Sequence, residues 1–238
     1  MGNFYGQFDT DKIATSFFDF AGNAIEVGAA QGVAASNTLH FEQNGWQVLC
    51  IEPNPKLFAV LQKRRPHTMN VALGAKNEDD VEFTVITLAN GDQSALSGLK
   101  VDEALVKIHP IASRETITVQ VRTLDTVLKD FGKFDALHYL SIDTEGTELD
   151  VLKGFTIENW NPRLIIVENN HDTNEVRDYL KEKGYDFVRR SGVNDFFVYN
   201  NAVQPVGEST ENSSNDTSPR DMDSSSRRTK ATSSRRKS

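Results

Sequence analysis

The chain has 238 residues, 38% of them hydrophobic, a size that favours one domain with a full core plus an appended segment. Its net charge is −8, and residues 208–238 hold seven basic and five acidic groups, which leaves −10 on the rest. An acidic body argues against nucleic acid as the folded part's main partner, and no run approaches the ~20 apolar residues of a membrane-spanning helix.

Taken in chain order, residues 9–20 (DTDKIATSFFDF) predict an amphipathic opening helix with Ile13, Phe17 and Phe20 inward. A buried strand follows at Asn23–Val27 and runs into Gly28-Ala29-Ala30-Gln31-Gly32, after which residues 33–44 can wind a helix that Asn44-Gly45 ends. The second strand, Gln47–Ile51, stops at Glu52-Pro53-Asn54-Pro55, and a helix begins with Pro55 in its first turn. A third strand spans 68–73. Residues 81–87 and 117–121 alternate like strands, and residues 89–114 between them read as an irregular insertion. Residues 124–131 are a short helix, and 134–142 a strand ending in Asp143-Thr144-Glu145-Gly146. Thr147 and Asp150 fit a capping box for the helix that closes at Gly154. A buried strand ends at Glu168, a helix covers 173–183, and residues 185–199 form a closing hairpin.

This alternation predicts an α/β sandwich with a mostly parallel sheet and an antiparallel last strand over residues 1–202. Residues 203–238 collapse into Ser, Thr, Asn, Asp and Arg, a composition that predicts a disordered tail. Residues 227–238 hold six basic groups and no acid, a run more often a solvated extension than a binding element. The one cysteine, Cys50, sits in an apolar run and suits a reducing setting. The first residues lack a hydrophobic signal core, and Gly6 stands where a myristoylation signal needs Ser or Thr, so an unmodified, cytoplasmic protein is expected. The sequence is silent on oligomeric state.

Three acids, Glu26, Glu52 and Asp143, fall at or beside the carboxyl ends of apolar strands, where an open parallel sheet binds its ligands. Glu52 follows Gly28 by 24 residues, the reach to a neighbouring strand tip whose acid takes ribose hydroxyls. The turn has alanine at the second glycine position of a dinucleotide fingerprint and an acid two residues ahead of Gly28. That disfavours a pyrophosphate, hence NAD, and suits an amine and a sulfonium, hence S-adenosylmethionine.

The segments IEVGAAQGVAASNT, CIEPNP and YLSIDTEGTELDVLKGF, with their spacing, resemble the FkbM-type methyltransferases over about residues 5–200. The resemblance implies a seven-stranded class I methyltransferase fold that uses S-adenosylmethionine. Gly28 to Gly32, Ala29 among them, would wrap the methionine part, Glu52 would hold the ribose and Ala72 would border the adenine. By position alone, Glu26 ahead of the turn is expected to accept from the ligand's amine or hydroxyls, and Asn37 just after it either reaches the site or solvates a helix face. Asp143 and Glu145 would line the methyl-transfer site, and relatives mostly methylate hydroxyls, often of sugars. The segment Val167–His171 departs from the family's usual spacing of a histidine after a V-E pair.

A sugar hydroxyl is a weak nucleophile, so a general base helps. Asp143 is expected to order the site, with Glu145 or His171 as base. Two or three acids and a histidine can also hold Mg²⁺, although nothing in the spacing demands it. His138 reads as a packed core histidine, and acceptor recognition is expected in Gln93–Gly98. The competing readings are methylation of another acceptor (nitrogen or RNA), a methyltransferase-like fold that only binds, and an NAD-dependent oxidoreductase. The acidic body opposes RNA, the absence of an N/D-P-P-Y/F element opposes a nitrogen acceptor, and the intact motif residues and the missing middle glycine oppose the last two readings in turn.

Overall fold

The computed structural model describes residues 2–93 and 96–200. Its strands are β1 (Asn23–Val27), β2 (Gln47–Ile51), β3 (Thr68–Met69), β4 (Ala72–Leu73), β5 (Glu78–Leu88), β6 (Ile111–Arg122), β7 (Tyr139–Ile142), β8 (Leu164–Glu168), β9 (Tyr185–Ser191) and β10 (Asn194–Tyr199). Its helices are α1 (Thr10–Thr15), α2 (Leu39–Gln43), α3 (Pro55–Leu61), α4 (Glu103–Ile108), α5 (Leu124–Phe131), α6 (Glu148–Lys153) and α7 (Glu175–Glu182).

Seven strands form one sheet in the order β3-β2-β1-β7-β8-β10-β9. Neighbours pair in parallel from β3 to β8, and β10 is antiparallel to both β8 and β9. This is the Rossmann-like α/β sandwich expected from the sequence. Side chains alternate between its faces with period two. Ile25, Leu49, Leu140, Ile165 and Phe197 pack with Leu128 of α5, Leu152 of α6 and Leu180 of α7. Ala24, Val48, Tyr139, Ile166 and Phe196 pack on the other face with Ala14 of α1, Phe41 of α2 and Leu61 of α3. A second sheet, β4-β6-β5, stands apart, its β5–β6 pair a long antiparallel hairpin.

Several elements differ from expectation, each for a local reason. The opening helix ends at Thr15, because the Thr15 and Ser16 hydroxyls bond back to the carbonyls of Lys12 and Ile13. Phe20 is consequently 41% exposed rather than inward. The helix expected over 33–44 starts only at Leu39. The Glu26 carboxylate takes up the Ser36 and Thr38 hydroxyls and the Asn37 N–H, and Ala35 has a φ of 61°. The expected strand over 68–73 splits between the two sheets. Between its halves Asn70 donates to the carbonyls of Glu52 and Pro53. The last four residues of the expected insertion, 111–114, belong to β6, which begins at Ile111. Thr147 precedes α6 without a side-chain cap, and Glu148 instead accepts from the Thr144 and Gly146 amides.

Among the described residues no helix is long and apolar enough to cross a membrane. The expected tail, 203–238, lies outside the described residues.

Candidate active site

The sheet register builds the site. Cys50, Glu26, Ser141 and Ile166 form one row across β2, β1, β7 and β8. Two residues further along each chain stand Glu52, Gly28, Asp143 and Glu168, at the carboxyl ends where open parallel sheets hold ligands. Period-two alternation points the three acids to one face. Gly28, in the middle of the row, has a φ of 79°, and a Cβ there would lie 1.7 Å from the Asp143 carbonyl oxygen. The bare backbone at this position lets the β1 loop close against β7.

A cavity of about 400 Å³ opens over this row, within the ~300–1,000 Å³ range of small-molecule sites. On the β2 side its wall is apolar, with Leu57, Val71, Ala72, Leu73 and Phe83. On the β8 side it is polar, with Asp143, Glu145, Glu168 and Asn170. Glu52 lies between, accepting from the Ala30 amide at 2.9 Å and the Asn54 amide at 2.7 Å. Burial pushes its pKa up to about 7, against the opposing pull of those two amides.

Asp143, Glu145 and Glu168 each bring a carboxylate oxygen within 4.8 Å of the other two. Burial raises all three pKa values, Asp143 to about 6 and Glu145, with the Asp143 charge adding, to about 8. Glu168 is raised furthest, to about 11, by burial and then by the charges of Asp143 and Glu145. It is hydrogen-bonded to Asp143, so the pair holds a proton at neutral pH. Glu145 sits at a φ of 59°, followed by Gly146 at 108°, and takes a hydrogen bond from the Leu96 backbone. Such backbone strain in a non-glycine residue concentrates at functional sites. Three hard oxygen ligands at this spacing could also hold a divalent cation.

Not every expected site residue touches the cavity in the same way. Gly28, Ala29, Glu52, Ala72, Asp143 and Glu145 line it, as do Gln93, Leu96 and Ser97 of the insertion. Ser94 and Ala95 lie outside the described residues. Glu26 reaches the wall, but its carboxylate is taken by Ser36, Asn37, Thr38 and the fully buried Arg65, whose Nη1 stands 3.3 Å away. Gly32 lies behind the loop, where a Cβ would meet Leu61 at 2.5 Å and Arg65 at 2.8 Å. Asn37 is also set back, donating to the Ser141 hydroxyl at 3.1 Å. His171 lines a neighbouring cavity of about 180 Å³ that shares Glu145, Glu168 and Asn170 with the first. Its ring is paired with Asp102 and largely exposed. His138 accepts from the Asn23 amide at 3.1 Å and packs on Phe20 and Trp46.

Glu168 joins the site in addition to the residues expected from sequence; it ends a buried strand as Asp143 follows one. Counting every strand-end acid on one parity would have found it. Phe8 and Gln7, which line the mouth, carry no such signal.

The family model described as the methyltransferase FkbM domain matches residues 26–187, more than half of the chain. The chain belongs to the FkbM methyltransferase family. Methyltransferase 1 of Beauveria bassiana (strain ARSEF 2860) is 26% identical over 155 residues, 58% of this chain. This FkbM-family chain matches 62% of that relative's length. The matched segment contains β2, β7, β8 and the end of β1, and with them Glu52, Asp143, Glu145 and Glu168.

Proposed function

We propose that this FkbM-family protein is an S-adenosylmethionine-dependent O-methyltransferase, its unit spanning residues 1–202, that acts on a hydroxyl of a sugar or glycosylated metabolite. The observation that carries the reading is the row Glu52–Gly28–Asp143–Glu168 beneath a cavity that is apolar on one side and acidic on the other. The residues present fit the cofactor. Leu57, Ala72 and Leu73 offer an apolar slot for adenine, and Glu52, already oriented by two amides, offers its remaining lone pairs to ribose hydroxyls. The acidic side suits an amine and a sulfonium cation and would repel a pyrophosphate.

When bound, S-adenosylmethionine supplies a methyl group already activated by the sulfonium. The chain's own part is alignment, exclusion of water and proton handling. Glu26, locked by Arg65, Ser36 and Thr38, holds the loop 28–38 in shape and is a positioning residue, as are Gly32 and Asn37. Asp143, with a pKa of about 6 and so ionised at neutral pH, would face the sulfonium of the bound cofactor. Glu145 is the group poised to accept the acceptor hydroxyl's proton, since it lines the cavity and has a pKa close to the working range. His171, turned to Asp102 in the neighbouring cavity, is set aside as base.

Calorimetric titration of the full chain with S-adenosylmethionine, with NAD as control, tests the cofactor. Saturable binding of S-adenosylmethionine alone is expected, weakened by Glu52→Ala at least about tenfold, or roughly 1.4 kcal/mol. Failure to bind, or an unchanged affinity in the variant, overturns the reading.

A further inference from the structure

Resting on the methyl-transfer reading of this cavity, we propose that Phe8 is the acceptor platform: a pyranose ring packs its apolar face on Phe8 while one hydroxyl reaches Glu145. Phe8 is 52% exposed, yet it lines the same cavity as Glu145 and Glu168. Single exposed apolar residues are ordinary. The other exposed phenylalanines, Phe4, Phe20 and Phe187, do not line the cavity, so the position of Phe8 sets it apart.

The ring abuts Gly192, and the backbone around it is held by hydrogen bonds. A Cβ on Gly192 would come within 2.2–2.6 Å of three Phe8 ring carbons, so the hairpin between β9 and β10 needs glycine there to seat the ring. The Ser191 hydroxyl donates to the Phe8 carbonyl at 2.8 Å. Gly6 bridges Ala35 of the cavity loop, and the Thr10 hydroxyl donates to the Gln7 carbonyl at 2.6 Å. Phe8 and Asp9 both lie in left-handed backbone, at φ 54° and 57°, a conformation that persists in such residues only where the surroundings over-determine it.

A preorganised aromatic ring and carboxyl groups lining one cavity suit a molecule with an apolar C–H face and a hydroxyl edge, which a pyranose has. Phe8 and Gly192 both lie outside residues 26–187, the segment that the family model matches. Phe8 thereby selects the acceptor and takes no part in the proton transfer.

The test uses the full chain with S-adenosylhomocysteine bound. The probes are methyl glycosides of glucose, galactose and mannose and their 6-deoxy counterparts, followed by saturation-transfer NMR. Glycosides that bind are then assayed for transfer of labelled methyl from S-adenosylmethionine. Expected is saturation of ring C–H protons of at least one probe and its methylation. Phe8→Ala should raise KM at least tenfold with kcat and cofactor affinity little changed, and Phe8→Tyr should restore KM. A KM within twofold in Phe8→Ala overturns the platform and leaves the methyltransferase reading standing. Absence of any glycoside binding to a protein that holds S-adenosylhomocysteine overturns the platform as well. A wild-type protein that binds no S-adenosylhomocysteine defeats the parent reading and the platform together.

Discussion

Arg65 is the residue on which the loop around the cavity depends. Its side chain is fully buried and meets Glu26 and Glu42, the Gly32 carbonyl and the Ser36 and Thr38 hydroxyls. A buried ion pair contributes little net stability while intact, but removing one partner strands a charge in a medium that cannot solvate it. Arg65→Ala should therefore cost about 3–5 kcal/mol in urea denaturation. A loss below about 1 kcal/mol would show that water replaces the guanidinium, and that the loop does not need it. Gly28 is constrained differently. With its φ of 79° and a Cβ 1.7 Å from the Asp143 carbonyl, even alanine would force β1 and β7 apart at the centre of the site.

At the scale of elements, the β5–β6 hairpin carries the part of the cavity that the main sheet cannot supply. Its connection brings Gln93, Leu96, Ser97 and Leu105 to the wall and donates the Leu96 amide to Glu145, while Leu57, Ala72 and Leu73, the slot proposed for adenine, come from α3 and β4. Replacing residues 90–109 by Asn-Gly should leave S-adenosylmethionine affinity within roughly threefold yet cut methyl transfer at least about 100-fold, the scale of a lost positioning element. Transfer to the same acceptor at the wild-type rate would show that the connection is dispensable. The strand ends were legible in the sequence because buried parallel strands read as apolar runs closed by an acid. The start of α2 was not. Residues 33–38 stand where a helix commonly follows such a glycine turn, and the approach of Glu26 from another element gives their polar groups a better partner than a helix would.

For the whole molecule, the acid cluster makes cofactor-free stability depend on pH. Acids with raised folded pKa values hold more protons folded than unfolded between their unfolded and folded pKa values, so stability falls as pH rises across that window. For Glu52 and Glu145 the window runs from the ordinary glutamate value to about 7 and about 8, and for Glu168 to about 11. His67 and His138, lowered by burial, act in the opposite sense only below their ordinary value, near 6.5. Between pH 6.5 and 8 the acids therefore dominate, each contributing a slope of up to about 1.4 kcal/mol per pH unit. Urea denaturation of the cofactor-free chain at those two pH values should show the loss, and Glu145→Gln with Glu168→Gln should flatten it. An equal slope in the double variant would place the effect elsewhere.

The sequence by itself determined the α/β alternation, the family, and the acids Glu26, Glu52 and Asp143 at or beside strand ends. Each is a local pattern of apolar runs, turns and spacing that one stretch of chain carries complete. Only the tertiary structure decided which of those groups face the cavity. Strand register sets Glu168 beside Asp143, Arg65 from the segment after α3 turns Glu26 into a scaffold, and Asp102 keeps His171 in the neighbouring cavity. The hairpin at Gly192 seats Phe8 at the mouth, a contact between residues 184 positions apart. Such contacts join residues from opposite parts of the chain, and no periodicity within one segment encodes them.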